Sequence, residues 1–112
     1  MKYIITESQI DRMVFKYLNG FDWVKVKTSK YNTTRLFYKG EEQYPENAIF
    51  EAYNEKDDSG GVYRLLLIDK KLCMTIGSLF SITEYKYLEP LLLRWFNEYA
   101  DDNCVKAGMM NY

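Results

Sequence analysis

Residues 48–68 read AIFEAYNEKDDSGGVYRLLLI, and this stretch decides the fold. Residues 48–54 alternate between apolar and polar side chains, which is typical of a half-buried strand. Residues 57–61 read DDSGG, a composition that is typical of a turn. Residues 62–68 form the most apolar predicted strand of the chain. The stretch therefore predicts a β-hairpin whose second strand is central in a sheet.

Further strand and turn patterns lie on both sides of this hairpin. Residues 23–28 alternate, residues 32–34 have turn composition, and residues 35–39 predict a return strand. Residues 69–71 predict a tight turn into another strand over 72–76, and residues 104–110 are compatible with an added edge strand. Because the strands are consecutive along the chain, they favour an antiparallel sheet of about five strands.

A helix is predicted at each end of the strand block. At the start, Thr6 and Gln9 form a capping box, and Ile5 and Ile10 form a hydrophobic staple. The apolar face of this helix consists of Ile10, Met13, Val14, Tyr17 and Leu18. Residues 2–5 predict a short extended arm or strand before it.

The second helix carries a wide apolar stripe, with Leu88, Leu91, Leu92, Trp95, Phe96 and Tyr99 at helical spacing. Ser81 and Glu84 suggest a capping box for it. Pro90 leaves two alternatives, a main helix that starts near Glu89 or a longer helix that is kinked. The predicted fold is a single α+β domain over 1–112, in two layers, with the N-terminal and C-terminal helices packed on one face of the sheet.

Size and composition exclude several classes of protein. The chain has 112 residues, 47% of them hydrophobic, and a net charge of −1, so bulk charge cannot drive nucleic-acid binding. Two cysteines, Cys73 and Cys104, are too few for a secreted disulfide scaffold and predict reduced buried thiols, although a bridge between them stays open. No run is long enough to cross a membrane, and the opening is not a secretory signal, so we predict a cytoplasmic protein, in the host cytoplasm if it is viral.

The residues that usually carry catalysis or metals are scarce. The chain contains no His, which removes most catalytic triads and most zinc sites. The string Asp58-Ser59-Gly60 has the shape found in dimeric aspartic proteases, but the residues before it are polar and favour a hairpin loop. We therefore predict no enzyme activity, no catalytic residue, no metal site and no cofactor.

Charge is segregated along the chain. Between residues 23 and 40 there are five cations and no acid, whereas residues 41–58 contain seven acids and one cation. The candidate surface for a nucleic acid or a protein partner consists of Trp23, Lys25, Lys27, Lys30, Tyr31, Arg35 and Lys39. The alternatives are cross-strand pairing of the two charge blocks and a dipolar surface that drives self-association.

The opening residues Met1-Lys2-Tyr3-Ile4-Ile5-Thr6-Glu7-Ser8-Gln9 resemble the start of small uncharacterised proteins from bacteriophages and marine metagenomes. The similar part covers about twenty residues, and it implies no activity and no functional residue. It favours a viral accessory or structural protein. We predict a non-enzymatic protein that acts through protein–protein contacts, with a homodimer as one form, and a nucleic-acid-binding accessory protein using the 23–39 hairpin as the alternative.

Overall fold

The computed structural model describes residues 7–110, which contain three α-helices and five strands. The helices are α1 (Glu7–Asn19), α2 (Lys70–Leu79) and α3 (Tyr85–Ala100). The strands are β1 (Trp23–Thr28), β2 (Thr33–Tyr38), β3 (Phe50–Lys56), β4 (Val62–Ile68) and β5 (Lys106–Met109). The predicted capping box at Thr6, the staple at Ile5 and the arm over 2–5 lie outside the described residues.

The five strands form one sheet in the order β1-β2-β3-β4-β5. The first three pairings are antiparallel, whereas β4 and β5 run parallel because α2 and α3 connect them. The predicted α+β class is confirmed, and the sheet is mixed rather than purely antiparallel. Strand β4 lies between β3 and β5, so it is a central strand as predicted.

The hairpin of β3 and β4 follows the prediction from residues 48–68. The two strands pair over their whole length, from Phe50 opposite Ile68 to Lys56 opposite Val62. In the turn, the Asp57 carboxylate accepts hydrogen bonds from the backbone N–H groups of Ser59 and Gly61 at 3.0 and 2.7 Å. Gly60 adopts a φ of 86°, which favours glycine. Asp58-Ser59-Gly60 is therefore part of a hairpin turn.

All three helices pack on the same face of the sheet. Their buried residues form one core with the inward residues of the strands, namely Leu36, Phe50, Ala52, Leu66 and Ile68. The predicted α3 stripe is buried from Leu88 to Phe96, which confirms it, but Tyr99 is 44% exposed. In α1, Val14 and Leu18 are buried as predicted, whereas Met13 is 45% exposed.

The strand predicted over residues 72–76 is wrong, because these residues belong to α2. The Asp69 side chain caps this helix by accepting a hydrogen bond from the backbone N–H of Leu72 at 3.1 Å. Leu72, Cys73 and Ile76 then share one buried helical face. The fifth strand is formed instead by Lys106–Met109, within the segment 104–110, whose sequence is compatible with an edge strand.

Three local predictions also need correction. The turn at residues 32–34 lies earlier, because Lys30–Asn32 forms a 3₁₀ turn and Thr33 already begins β2. The capping box of Ser81 is absent, since α3 has Glu84 as its N-cap without a side-chain hydrogen bond. The start near Glu89 is wrong as well, because α3 begins at Tyr85 and continues through Pro90.

Candidate functional site

The seven residues of the predicted surface are distributed over five places in the structure. The tip of the β1–β2 hairpin carries Lys30 and Tyr31, and β1 carries Lys25 and Lys27 on the helix side. Trp23 belongs to the core, Arg35 lies on the opposite face of the sheet, and Lys39 lies at the far end of the hairpin. The predicted surface is therefore not one continuous site.

Trp23 is held inside the molecule by its ring and its N–H. The indole N–H donates to the carbonyl of Leu18 at 2.8 Å, and the ring stacks on Tyr38 with centroids 5.1 Å apart. The same ring meets Phe50 and Trp95 at 5.6 Å. A ring with these partners cannot stack on a base or on a partner protein without opening the core.

Lys25 and Lys27 share the face of Trp23, as the strand pattern predicted, and both are exposed. That face is the one next to α3, since Lys25 Nζ lies 3.4 Å from the carbonyl of Ala100, the last residue of the helix. A cation at a helix C-terminus is favourable because of the helix dipole. The positive charge of Lys27 helps to lower the pKa of Asp102.

The hairpin tip is exposed but fixed. Tyr31 is 65% exposed, and both Tyr31 and Asn32 have a positive φ, at 53° and 51°. Outside glycine this conformation is uncommon and persists where the surroundings determine it. Thr33 Oγ1 donates to the carbonyl of Lys30 at 2.7 Å, and the guanidinium of Arg64 donates to the carbonyl of Asn32.

Arg64 uses all five of its N–H donors at this end of the sheet. It binds Asp102 in a bidentate pair at 2.8 and 3.0 Å, with both side chains about nine-tenths buried. Its other N–H groups donate to Asn32, Asn54 and Thr34. Burial works to raise the pKa of Asp102, but the hydrogen bonds from Arg64 and from the Asn103 N–H, with the charges of Arg64 and Lys27, hold it below its usual value.

Arg35 forms a single cross-strand charge pair between the basic and the acidic block, in keeping with one of the alternatives left open by the sequence. It lies directly opposite Glu51 on the neighbouring strand, with Nη2 and Oε1 3.6 Å apart. Its Nε is buried and has no hydrogen-bond partner among residues 7–110. Lys39 is exposed beyond the other end of β2, with its backbone N–H bound to the carbonyl of Asp22 at 3.0 Å.

The second face of the sheet was not predicted as a site. Since the inward residues of each strand contact the helices, their neighbours alternate onto the other face. We call this surface the open face; its main side chains are Val24, Val26, Arg35, Phe37, Glu51, Tyr53, Tyr63, Leu65 and Leu67. All are half-buried except Phe37, which is 2% exposed. One sequence signal pointed here, namely the uninterrupted run Leu65-Leu66-Leu67, which is apolar on both faces of its strand.

The open face departs from the usual pattern of a solvated sheet. The exposed face of an antiparallel sheet is normally polar. Seven of these nine side chains are aliphatic or aromatic, and Arg35 and Glu51 are paired with each other; strand alternation adds the charged Glu55 and Lys106 at the margins of the face. Contiguous exposed apolar patches are typical of surfaces that bind other molecules.

Two grooves lie elsewhere on the molecule. A groove of about 430 Å³ between α1 and α3 is lined by Ile10, Asp11, Ile82, Tyr87, Leu91 and Arg94, among others, and the Asp11–Arg94 ion pair joins two of its sides. A wider groove of about 870 Å³ lies between the end of β2 and the start of α2, next to Tyr38 and Asp69.

The thiols and the acids offer no reactive cluster in the described part of the chain. Cys73 and Cys104 are free and buried, and burial raises their pKa to about 11 and about 12. A thiol with so high a pKa is a poor nucleophile at neutral pH. Within residues 7–110 no three His, Cys, Asp or Glu side chains are grouped so that they could hold a metal ion.

No protein-family model matches this chain. The curated proteins contain no match to it, and no solved structure matches it either. Among the helices of residues 7–110, none has the length and apolar character needed to cross a bilayer. The geometry of the described residues is therefore what carries a functional conclusion.

Proposed function

We propose that this protein is a non-enzymatic binding module that contacts another protein chain through the open face. The observation that carries the proposal is the apolar character of that face, in a sheet whose other face is already packed against three helices. Burying apolar side chains such as Leu65, Leu67 and Tyr53 against a partner is favourable by about 25 cal/mol for each Å² removed from water. The resemblance of the opening residues to phage proteins agrees with such a role and stays a prediction.

The distribution of polar groups supports binding rather than catalysis. An enzyme site combines a cavity with titratable groups that converge on one reacting atom. Arg64 and Asp102 are the most strongly paired charges among the described residues. Arg64 donates to the Asp102 carboxylate just after α3 and to the Asn32 carbonyl at the hairpin tip, so these groups are already engaged within the fold. Arg35 and Glu51 likewise neutralise each other on the open face.

A site-specific cross-link tests the proposal. A photoreactive benzophenone amino acid replaces Tyr53, whose ring lies on the open face, in protein produced in its native host. We expect covalent adducts with a polypeptide after illumination, identified by mass spectrometry. The matched control carries the same amino acid in place of Tyr87, which is 61% exposed on α3, in the helix layer.

The outcome of this experiment is decisive in both directions. Adducts at position 53 that exceed those at position 87 support a protein-binding open face. Equal labelling at both positions, or no adduct at position 53, would show that the open face is not a protein-binding surface.

A second candidate function, nucleic-acid binding, is favoured by the hairpin tip. Tyr31 presents an exposed ring at a fixed position, with Lys30 Nζ 5.7 Å from its centroid and the exposed Lys27 on the adjoining strand. Cations neutralise phosphates, and exposed rings stack on bases. Trp23 and Arg35 do not contribute to this tip.

Binding to a fluorescent single-stranded oligonucleotide at low and at high salt tests this candidate. If the tip binds, affinity falls as salt rises, and Tyr31→Ala weakens binding at least several-fold because base stacking contributes about 1–3 kcal/mol. Tyr87→Ala is the matched control. Absence of binding at low salt would eliminate the nucleic-acid candidate.

A further inference from the structure

We infer that the partner of the open face is a second copy of this chain, so that two sheets pack face to face around a two-fold axis. This inference rests on the proposed function and names the occupant of the same surface. A two-fold interface brings the same surface patch of each copy together, so the patch must be complementary to itself. The open face meets that condition in its charge, its apolar content and its size.

The charges of the open face sum to zero. Arg35 and Glu51 form a pair near its centre, and strand alternation adds Glu55 at the β3 end and Lys106 on β5. A strongly charged partner, such as an acidic peptide or a nucleic acid, would find no excess of the opposite sign here. Two neutral copies can meet without bringing unbalanced like charges together.

The apolar side chains lie on both sides of this central pair. Val24 and Val26 flank it on β1, and Leu65 and Leu67 flank it on β4. Sheets that pack face to face interdigitate such rows about 10 Å apart. Each copy would thus add a second layer over the open face of the other copy, which none of the three helices within residues 7–110 covers.

The size of the open face is consistent with a weak dimer. The five strands contain 6, 6, 7, 7 and 4 residues, and at about 3.3 Å per residue and 4.8 Å between strands they cover roughly 475 Å² per copy. Two copies would bury about 950 Å², which is the size of weak, transient interfaces. We therefore expect a dimer that depends on concentration rather than a permanent one.

The edge of β1 is a less suitable contact for a second copy. Lys25 and Lys27 are exposed along this edge strand, and charged side chains of this kind oppose edge-to-edge pairing.

Sedimentation velocity over roughly 1 µM to 1 mM tests the inference. The wild-type mass should rise from that of one 13.4 kDa chain towards twice that value. Leu67→Lys should keep the chain monomeric, because it puts a charge on the apolar surface. The new lysine lies opposite Glu51 in the monomer, where it gains a cross-strand partner and the fold is preserved.

Two more variants keep the result interpretable. Leu79→Lys is the matched control, since Leu79 is 57% exposed on α2 in the helix layer, and it should associate like the wild type. Tyr63→Lys is the second test of the open face, because it lies opposite Glu55 at the end of β4. Circular dichroism verifies the fold of each variant.

The possible results separate this inference from the proposed function. A wild type that stays monomeric at 1 mM, or lysine variants of the open face that associate as well as Leu79→Lys, would overturn the second copy as partner. If the benzophenone at position 53 then labels a different protein, the proposed function stands and only the identity of the partner changes. A monomer without adducts would overturn both.

Discussion

Replacing Arg64 by methionine is expected to lower the free energy of unfolding by about 3–5 kcal/mol. The substitution keeps the apolar part of the side chain but leaves the Asp102 carboxylate, which is 9% exposed, without its cation. It also removes the donors to Asn32, Asn54 and Thr34. Urea denaturation followed by circular dichroism measures the loss.

A second arginine provides the matched control. Arg94 also pairs with one aspartate, Asp11, but its side chain is 53% exposed. Exposed pairs contribute about 0–1 kcal/mol, so Arg94→Met should change stability by no more than that. If Arg64→Met costs no more than Arg94→Met, the buried pair does not stabilise the fold as the geometry indicates.

The pH dependence of the Asp102 contribution has a definite sign. Burial raises the pKa of this carboxyl, but Arg64, the Asn103 N–H and Lys27 outweigh burial, so the folded value lies below the unfolded one. A carboxylate of this kind stabilises the fold above its unfolded pKa, and the contribution is lost as pH falls through the folded pKa. The stability difference between wild type and Asp102→Asn should therefore be constant at neutral pH and shrink below about pH 4.

The same arginine connects stability with the hairpin tip. Its bond to the carbonyl of Asn32 holds two successive residues at positive φ, including the exposed Tyr31. No local pattern in the sequence indicates this link, because Arg64 and Asp102 are 38 residues apart. Neighbouring residues predict turns and helix caps, but they contain no information on which distant charges meet.

The predictable part of the fold is the part that depends on near neighbours. The alternation of residues 48–54 and the turn at 57–61 predicted the central hairpin, and the 3.6-residue spacing from Leu88 to Phe96 predicted the buried face of α3. The segment 72–76 was mispredicted because a short apolar run fits a strand and a buried helix equally well. Asp69 was the deciding signal, since its side chain caps the helix.

The candidate surface was predicted less well, for a reason specific to hairpins. Lysines and rings that are close in the sequence were expected to converge, but alternation places Lys25 and Arg35 on opposite faces of the sheet. The length of β2 separates Lys39 from the tip at Tyr31. The open face was missed because strand alternation defines two faces without indicating which one the helices cover.

Trp95→Ala is expected to cost about 3–5 kcal/mol, because it removes a large ring from the centre of the core. Trp95 is 1% exposed and contacts Trp23 and Phe50, with centroids 5.6 and 5.2 Å apart. Its indole N–H donates to Asn19 Oδ1 at 3.0 Å, so the ring also joins α3 to the end of α1. Urea denaturation followed by far-ultraviolet circular dichroism measures the loss.

The control for Trp95 is an aromatic residue on the same helix. Tyr87 is 61% exposed, and Tyr87→Ala should change stability by no more than about 0.5 kcal/mol. Trp95→Phe keeps most of the ring and loses the donor to Asn19, so its cost should lie between those of the two alanine variants. If Trp95→Ala costs no more than Tyr87→Ala, the helices do not pack on this face of the sheet, and the assignment of the other face as the open one would fail with it.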